Sequence, residues 1–185
     1  FNSLEAKLSS QPSIGLDTSQ DPSHSDLQTM MDLYNKGLFE EVIARSETLQ
    51  RQFPQSATIF NLQGAAYAAL QQPKRAMASL KRAMELNPND ATALNNMGNL
   101  LFQFGDLTSA KESFQQSLKL KPDVPQTYIN LGNAFRRSDE HRLALKNYKK
   151  AIALDPGIAE TYNNLAGTCN ELGQHKLAIL NFERA

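Results

Sequence analysis

The chain has 185 residues, and its nineteen basic and nineteen acidic side chains cancel, so no net field steers it toward nucleic acid or an anionic membrane surface. Its single cysteine, Cys169, excludes an internal disulfide framework and a cysteine-based zinc site, and it fits a reducing, cytoplasmic setting. No apolar run approaches the roughly 20 residues of a membrane helix, and no charged-then-apolar signal segment opens the chain.

Residues 1–22 are rich in Ser, Gln, Pro and Asp and read as a flexible leader. Within it Phe1, Leu4 and Leu8 have the spacing of one short amphipathic helix. The chain begins at Phe1 rather than Met and ends at Ala185 inside a repeated pattern, so it reads as a piece of something longer.

From Ser23 an array begins. Pro54, Pro88, Pro122 and Pro156 stand 34 residues apart, and a fixed period of this size marks a stack of small units that bury their apolar faces against one another. The units are 23–56, 57–90, 91–124, 125–158 and 159–185. In the first, Asp26 through Tyr34 reads as a helix, Asn35-Lys36-Gly37 as a turn with a C-terminal glycine, and Leu38 through Phe53 as a second helix.

Aligned on the prolines, the later units agree position by position. Position 4 holds Phe60, Leu94, Tyr128 and Tyr162, and position 8 holds Gly64, Gly98, Gly132 and Ala166. After a turn, position 20 is Ala76, Ala110, Ala144 and Ala178, and position 24 is Leu80, Phe114, Tyr148 and Phe182. These positions define one face of each of two helices, and the faces must meet. Glycine in mid-helix costs about 1 kcal/mol relative to alanine, so its recurrence predicts a close approach of the two backbones opposite the small residue at position 20.

Phe60-x2-Gln63-Gly64-x2-Tyr67 followed by Ala76-x3-Leu80 and Pro88 resembles the tetratricopeptide repeat, as does Tyr128-x2-Leu131-Gly132-x2-Phe135 followed by Ala144-x3-Tyr148 and Pro156. The resemblance covers residues 23–185. It implies an all-α fold, a right-handed superhelical solenoid of antiparallel helix pairs whose first helices line a concave groove. The stretch Tyr128 through Phe135 is also similar to the repeat arms of O-linked N-acetylglucosamine transferases and of bacterial proteins that fuse such arms to transferase domains.

If first helices line the groove, their positions 2, 5, 6, 9, 12 and 13 face it. Asn61 stands there in the second unit; Asn95, Asn96, Asn99, Phe102 and Gln103 in the third; Ile129, Asn130, Asn133, Arg136 and Arg137 in the fourth; Asn163, Asn164 and Asn170 in the fifth. Asparagine is a poor helix former, so a run of it at one register predicts an amide ladder that bonds the backbone of an extended peptide. Arg136 and Arg137 lie in a unit with six basic and three acidic residues, which predicts a preference for acidic or phosphorylated ligands. The carboxylate clamp of the chaperone-binding family members is not expected, because the matching positions hold Asn61, Ala65, Asn96, Gln126 and Asn130.

No enzymatic constellation assembles. Neither a glycine-rich phosphate loop nor a Gly-x-Ser-x-Gly elbow occurs, and no cofactor is expected. His141 and His175 share one repeat position and read as solvated surface residues, while Cys169 reads as a small buried hydrophobe. The expected function is therefore a non-catalytic scaffold that binds a protein or an extended peptide. Two alternatives are the substrate-recruiting arm of a larger transferase-type enzyme and self-association through an apolar C-terminal end.

Overall fold

A computed structural model describes residues 21–185 of the protein; the short helix expected around Phe1, Leu4 and Leu8 lies outside them. Among the described residues ten helices form five consecutive pairs: α1 (His24–Asn35) with α2 (Phe39–Gln52), α3 (Ala57–Ala69) with α4 (Pro73–Leu86), α5 (Ala91–Gln103) with α6 (Leu107–Leu120), α7 (Pro125–Arg137) with α8 (His141–Leu154), and α9 (Ala159–Glu171) with α10 (His175–Phe182). Every helix touches the next in sequence. None of them is long and apolar enough to cross a membrane.

Local signals set the boundaries. Ser23 caps α1 by accepting the Asp26 amide at 3.1 Å, Asp90 caps α5 by accepting from the Thr92 and Ala93 amides, and Asp106 caps α6 by accepting from Ser109. Asn87, Lys121 and Asp155, each preceding a proline, leave the helical region with φ near −140°. Between paired helices the chain reverses through a left-handed residue at one repeat position: Gly37, Gln71, Gly105, Asp139 and Gly173 have φ of 76°, 57°, 83°, 59° and 71°. Glycine takes that conformation freely, whereas Gln71 and Asp139 take it at a cost.

The helix faces meet as the pattern requires, with one correction. A methyl placed on Gly64, Gly98 or Gly132 would lie 2.7, 2.6 or 2.5 Å from Leu80, Phe114 or Tyr148. The glycines thus make room for the large side chain at position 24, not for a backbone opposite the alanine at position 20. Leu80, Phe114 and Tyr148 are almost wholly buried as a result. In the second unit Gln63 takes a core position, where its buried oxygen accepts from Gln50 at 2.9 Å and Ser79 at 3.0 Å. Both bonds meet the desolvation cost of that amide oxygen.

Candidate functional site

First helices of successive pairs touch one another, α1 with α3 and so on to α7 with α9, whereas second helices of successive pairs do not touch among the described residues. The stack therefore curves with its first helices inside, and the inner surface is the wall they share. Two hollows open on it. One of about 370 Å³ is walled by Tyr34, Phe102, Ala68 and Asn99, among others. The second, of about 400 Å³, lies farther along and is bordered by Asn133, Arg136, Glu160 and Asn164.

The asparagines divide by register. Asn61 is 5% exposed and accepts a hydrogen bond from Asn96 Nδ2 at 2.8 Å; Asn95 accepts one from Asn130 Nδ2 at 3.2 Å. Position 5 of one unit thus bonds to position 6 of the next, forming a row of amide pairs that staples unit to unit. Ile129 interrupts the row. It is fully buried in the core, so the expectation that position 5 faces the groove is corrected there: adjacent first helices pack across it. Asn163, in the same register but in the last pair, is exposed and bonds to no protein group.

The remaining amides have varied settings. Asn99 is exposed on the wall of the first hollow and bonds to no protein group. Asn164 reaches only its own helix, donating to Glu160 at 3.4 Å, beyond the usual range for such bonds. Asn133 accepts from the Tyr148 hydroxyl at 2.7 Å, and Asn170 pairs with His175 Nδ1 at 2.8 Å. Asn133 thereby anchors the ring that fills the Gly132 notch.

A second row runs along positions 12 and 13. Arg136 Nε donates to both carboxylate oxygens of Glu171 at 3.0 Å, and its Nη2 donates to one of them. These charge-assisted bonds hold the Glu171 carboxyl below the usual carboxylate range and push the guanidinium of Arg136 up. Arg137 Nη1 donates to the carbonyl oxygen of Phe102 at 2.9 Å, and its guanidinium lies 5.2 Å from the center of the Phe102 ring. Both arginines stand on the inner surface as expected, yet each is engaged by a residue 35 positions away. The charge of Arg136 is thereby met by Glu171, while exposed Arg137 spends one N–H on a neutral carbonyl oxygen.

Histidine and cysteine settle differently. His141 is not a solvated surface residue: its side chain is 23% exposed, and its buried Nδ1 lies 3.4 Å from Glu171 without a well-formed hydrogen bond. Cys169 is buried and burial pushes its thiol up, away from the thiolate that a nucleophile needs. Among the described residues no group of three or more His, Cys, Asp or Glu could hold a metal ion.

Paired helices stacked in one direction, with a shared inner wall and linkages one repeat long, define a helical-repeat solenoid. The chain belongs to the tetratricopeptide repeat family: the model described as tetratricopeptide repeat matches residues 90–156 and 123–185, and one described as TPR repeat matches 64–105. No curated protein matches the sequence. Among solved structures, a crystal structure of MamA is 23% identical with a TM-score of 0.71, covering 83% of this chain and 90% of that one. PilF from Pseudomonas aeruginosa is 17% identical with a TM-score of 0.81, covering 92% of this chain and 76% of that one. A chain of the APC/C hetero-tetramer Cut9-Hcn1 is 20% identical with a TM-score of 0.81, covering 86% and 32%. At these identities the likeness is one of fold.

Proposed function

We propose that the chain is a non-catalytic binding scaffold that holds an extended segment of a protein partner along its inner surface. The observation that carries this reading is the distribution of unspent amide capacity. Asn99 has no protein partner and Asn164 only a distant one on its own helix, while Asn96 and Asn130 each commit one amide proton to a neighboring unit. A carboxamide offers two donors and an acceptor, which is what the N–H and C=O groups of an extended backbone require. Tetratricopeptide repeats generally mediate protein–protein interactions, which supports the same reading.

The test uses random decapeptides displayed on phage, selected on the intact protein and then synthesized for affinity measurement. The double variant Asn99→Ala/Asn164→Ala leaves both interunit amide pairs in place. It should weaken the selected peptides about fivefold or more, two lost hydrogen bonds being worth about 1–3 kcal/mol. Equal affinity in a variant with unchanged circular dichroism would count against the groove.

A second reading, association through the α10 side, rests on Ile179 and Phe182, which are 60% and 52% exposed. Their counterparts one repeat earlier, Leu145 and Tyr148, are packed into the core that also contains α9 residues. Light scattering over a concentration series should show a dimer that Phe182→Glu abolishes; a monomer throughout removes this reading.

A further inference from the structure

The row along positions 12 and 13 fails at its first two junctions, Tyr34 with Ala69 and Ala68 with Gln103, and the failure coincides with the first hollow. Position 12 holds an aromatic ring twice, in Tyr34 and Phe102. Phe102 is covered by the residue at position 13 of the next unit, Arg137, whose guanidinium stacks on its ring and donates to its carbonyl oxygen. Tyr34 meets Ala69 at that register, and an alanine methyl can do neither. Ala65 and Ala68 stand beside Ala69 where the next unit has Asn99 and Phe102, so the small side chains open the space that Tyr34 and Phe102 wall.

The chemistry of that space is one-sided. No charged side chain lines it. Ring faces carry the negative side of an aromatic quadrupole, and Asn96, Asn99 and Gln103 add carboxamides to its lining. A carboxylate entering would be desolvated with nothing cationic to meet it. A guanidinium would find the Tyr34 ring, which no cation among the described residues covers as Arg137 covers Phe102, and planar acceptors for its N–H groups, and it tolerates such burial better than the more strongly hydrated ammonium of lysine.

We propose that this hollow is an arginine pocket: an extended peptide bound along the inner surface inserts an arginine between Tyr34 and Phe102, filling for Tyr34 the place that Arg137 fills for Phe102. The inference rests on the groove reading above and adds to it the identity of one anchoring residue. Arginine selects itself over aliphatic or aromatic anchors because the protein's own repeat already seats one on the equivalent ring.

Opposite-sign substitutions at Ala69 test this. Ala69 is exposed at the last turn of α3, so each replacement is compatible with folding. Peptides selected from the random decapeptide display should be enriched in arginine, and replacing that arginine with alanine should weaken them about tenfold. Ala69→Arg should weaken the same peptides about tenfold by occupying the pocket from within. Ala69→Glu should tighten them, a gain that misfolding cannot produce. Peptides that lose affinity in Asn99→Ala/Asn164→Ala but show no arginine enrichment and respond equally to both Ala69 variants would overturn the arginine pocket and leave the groove standing. Peptides indifferent to every inner-surface variant would overturn both. Tighter binding of a synthetic peptide of residues 1–20, which contains no arginine, would assign the hollow to the chain's own leader and overturn the proposal.

Discussion

Replacing Gly132 with alanine tests how the units close. The added methyl would lie 2.5 Å from Cε1 of Tyr148, about 0.9 Å short of the 3.4 Å at which ordinary contact begins. The ring has little room to yield: it is fully buried, and its hydroxyl is tied to Asn133 at 2.7 Å. Overpacking of this kind costs about 1–3 kcal/mol, and displacing the ring strains a hydrogen bond worth about 1 kcal/mol. Against that, alanine gains about 1 kcal/mol over glycine in a helix interior. The expected net loss is about 2 kcal/mol.

Gly98→Ala should behave similarly against the Phe114 ring, and Gly64→Ala should also destabilize, because the added methyl meets Leu80 Cγ at 2.7 Å and the Leu80 backbone nitrogen at 3.2 Å. Repeat arrays depart from two-state unfolding, so urea unfolding by circular dichroism is best joined to hydrogen exchange, which localizes the loss to α7 and α8. The double variant Gly132→Ala/Tyr148→Ala should cost less than the sum of its parts by about 1 kcal/mol, since removing the ring relieves the clash. A Gly132→Ala protein as stable as the parent would refute the reasoning, because it would mean the ring moves without cost.

Three other outcomes follow from the described contacts. Gln71→Gly and Asp139→Gly should each stabilize the protein by about 1 kcal/mol in thermal unfolding, because both residues hold a left-handed φ that glycine adopts without strain. Asn61→Ala should destabilize by about 1–2 kcal/mol in urea, since it strips the Asn96 amide of its acceptor at a partly buried junction. The Glu171 carboxyl has its folded pKa depressed below the ordinary 4.5 by hydrogen bonding to Arg136. Its contribution is therefore complete above the ordinary value and is lost as pH falls through the folded one, so Glu171→Gln should lower stability modestly at neutral pH, flatten the acid limb of a stability–pH curve and converge with the parent at low pH.

The fold was legible because it is built on recurrence. The proline period sets the register, and the register correctly pairs Gly64 with a tight contact even though the contacting residue is Leu80 rather than Ala76. The turns were legible where glycine marks them, at Gly37, Gly105 and Gly173, and silent at Gln71 and Asp139, whose residue types do not announce a positive φ. The site was less legible, for a geometric reason. A helical wheel drawn on one repeat puts Asn61, Asn95 and Ile129 on the groove face, yet the next first helix packs against that edge. Ile129 is consequently core, and Asn61 is a buried acceptor.

The bonds that decide the inner surface have a common offset. Asn61 with Asn96, Asn95 with Asn130, Phe102 with Arg137 and Arg136 with Glu171 all join residues 35 apart, one more than the 34-residue sequence period. A pattern search at the sequence period aligns each residue with its counterpart and so passes over its partner. Since each of these residues commits part of its bonding capacity to its neighbor, a chain with both rows complete would have a stiffer inner wall and less left to offer a ligand. On the proposed reading, specificity belongs to the interruptions, where one repeat carries an alanine or an isoleucine that cannot bond to the next. Ala68 and Ala69 make such a break in the position 12–13 row and leave a ring and carboxamides facing a hollow; Ile129 makes the other, in the amide row, and leaves Asn164 with only a long contact to its own helix. On the proposed reading, ligand recognition in this solenoid is set by departures from the repeat, and substituting Ala69 alters one such departure at an exposed position of the last turn of α3.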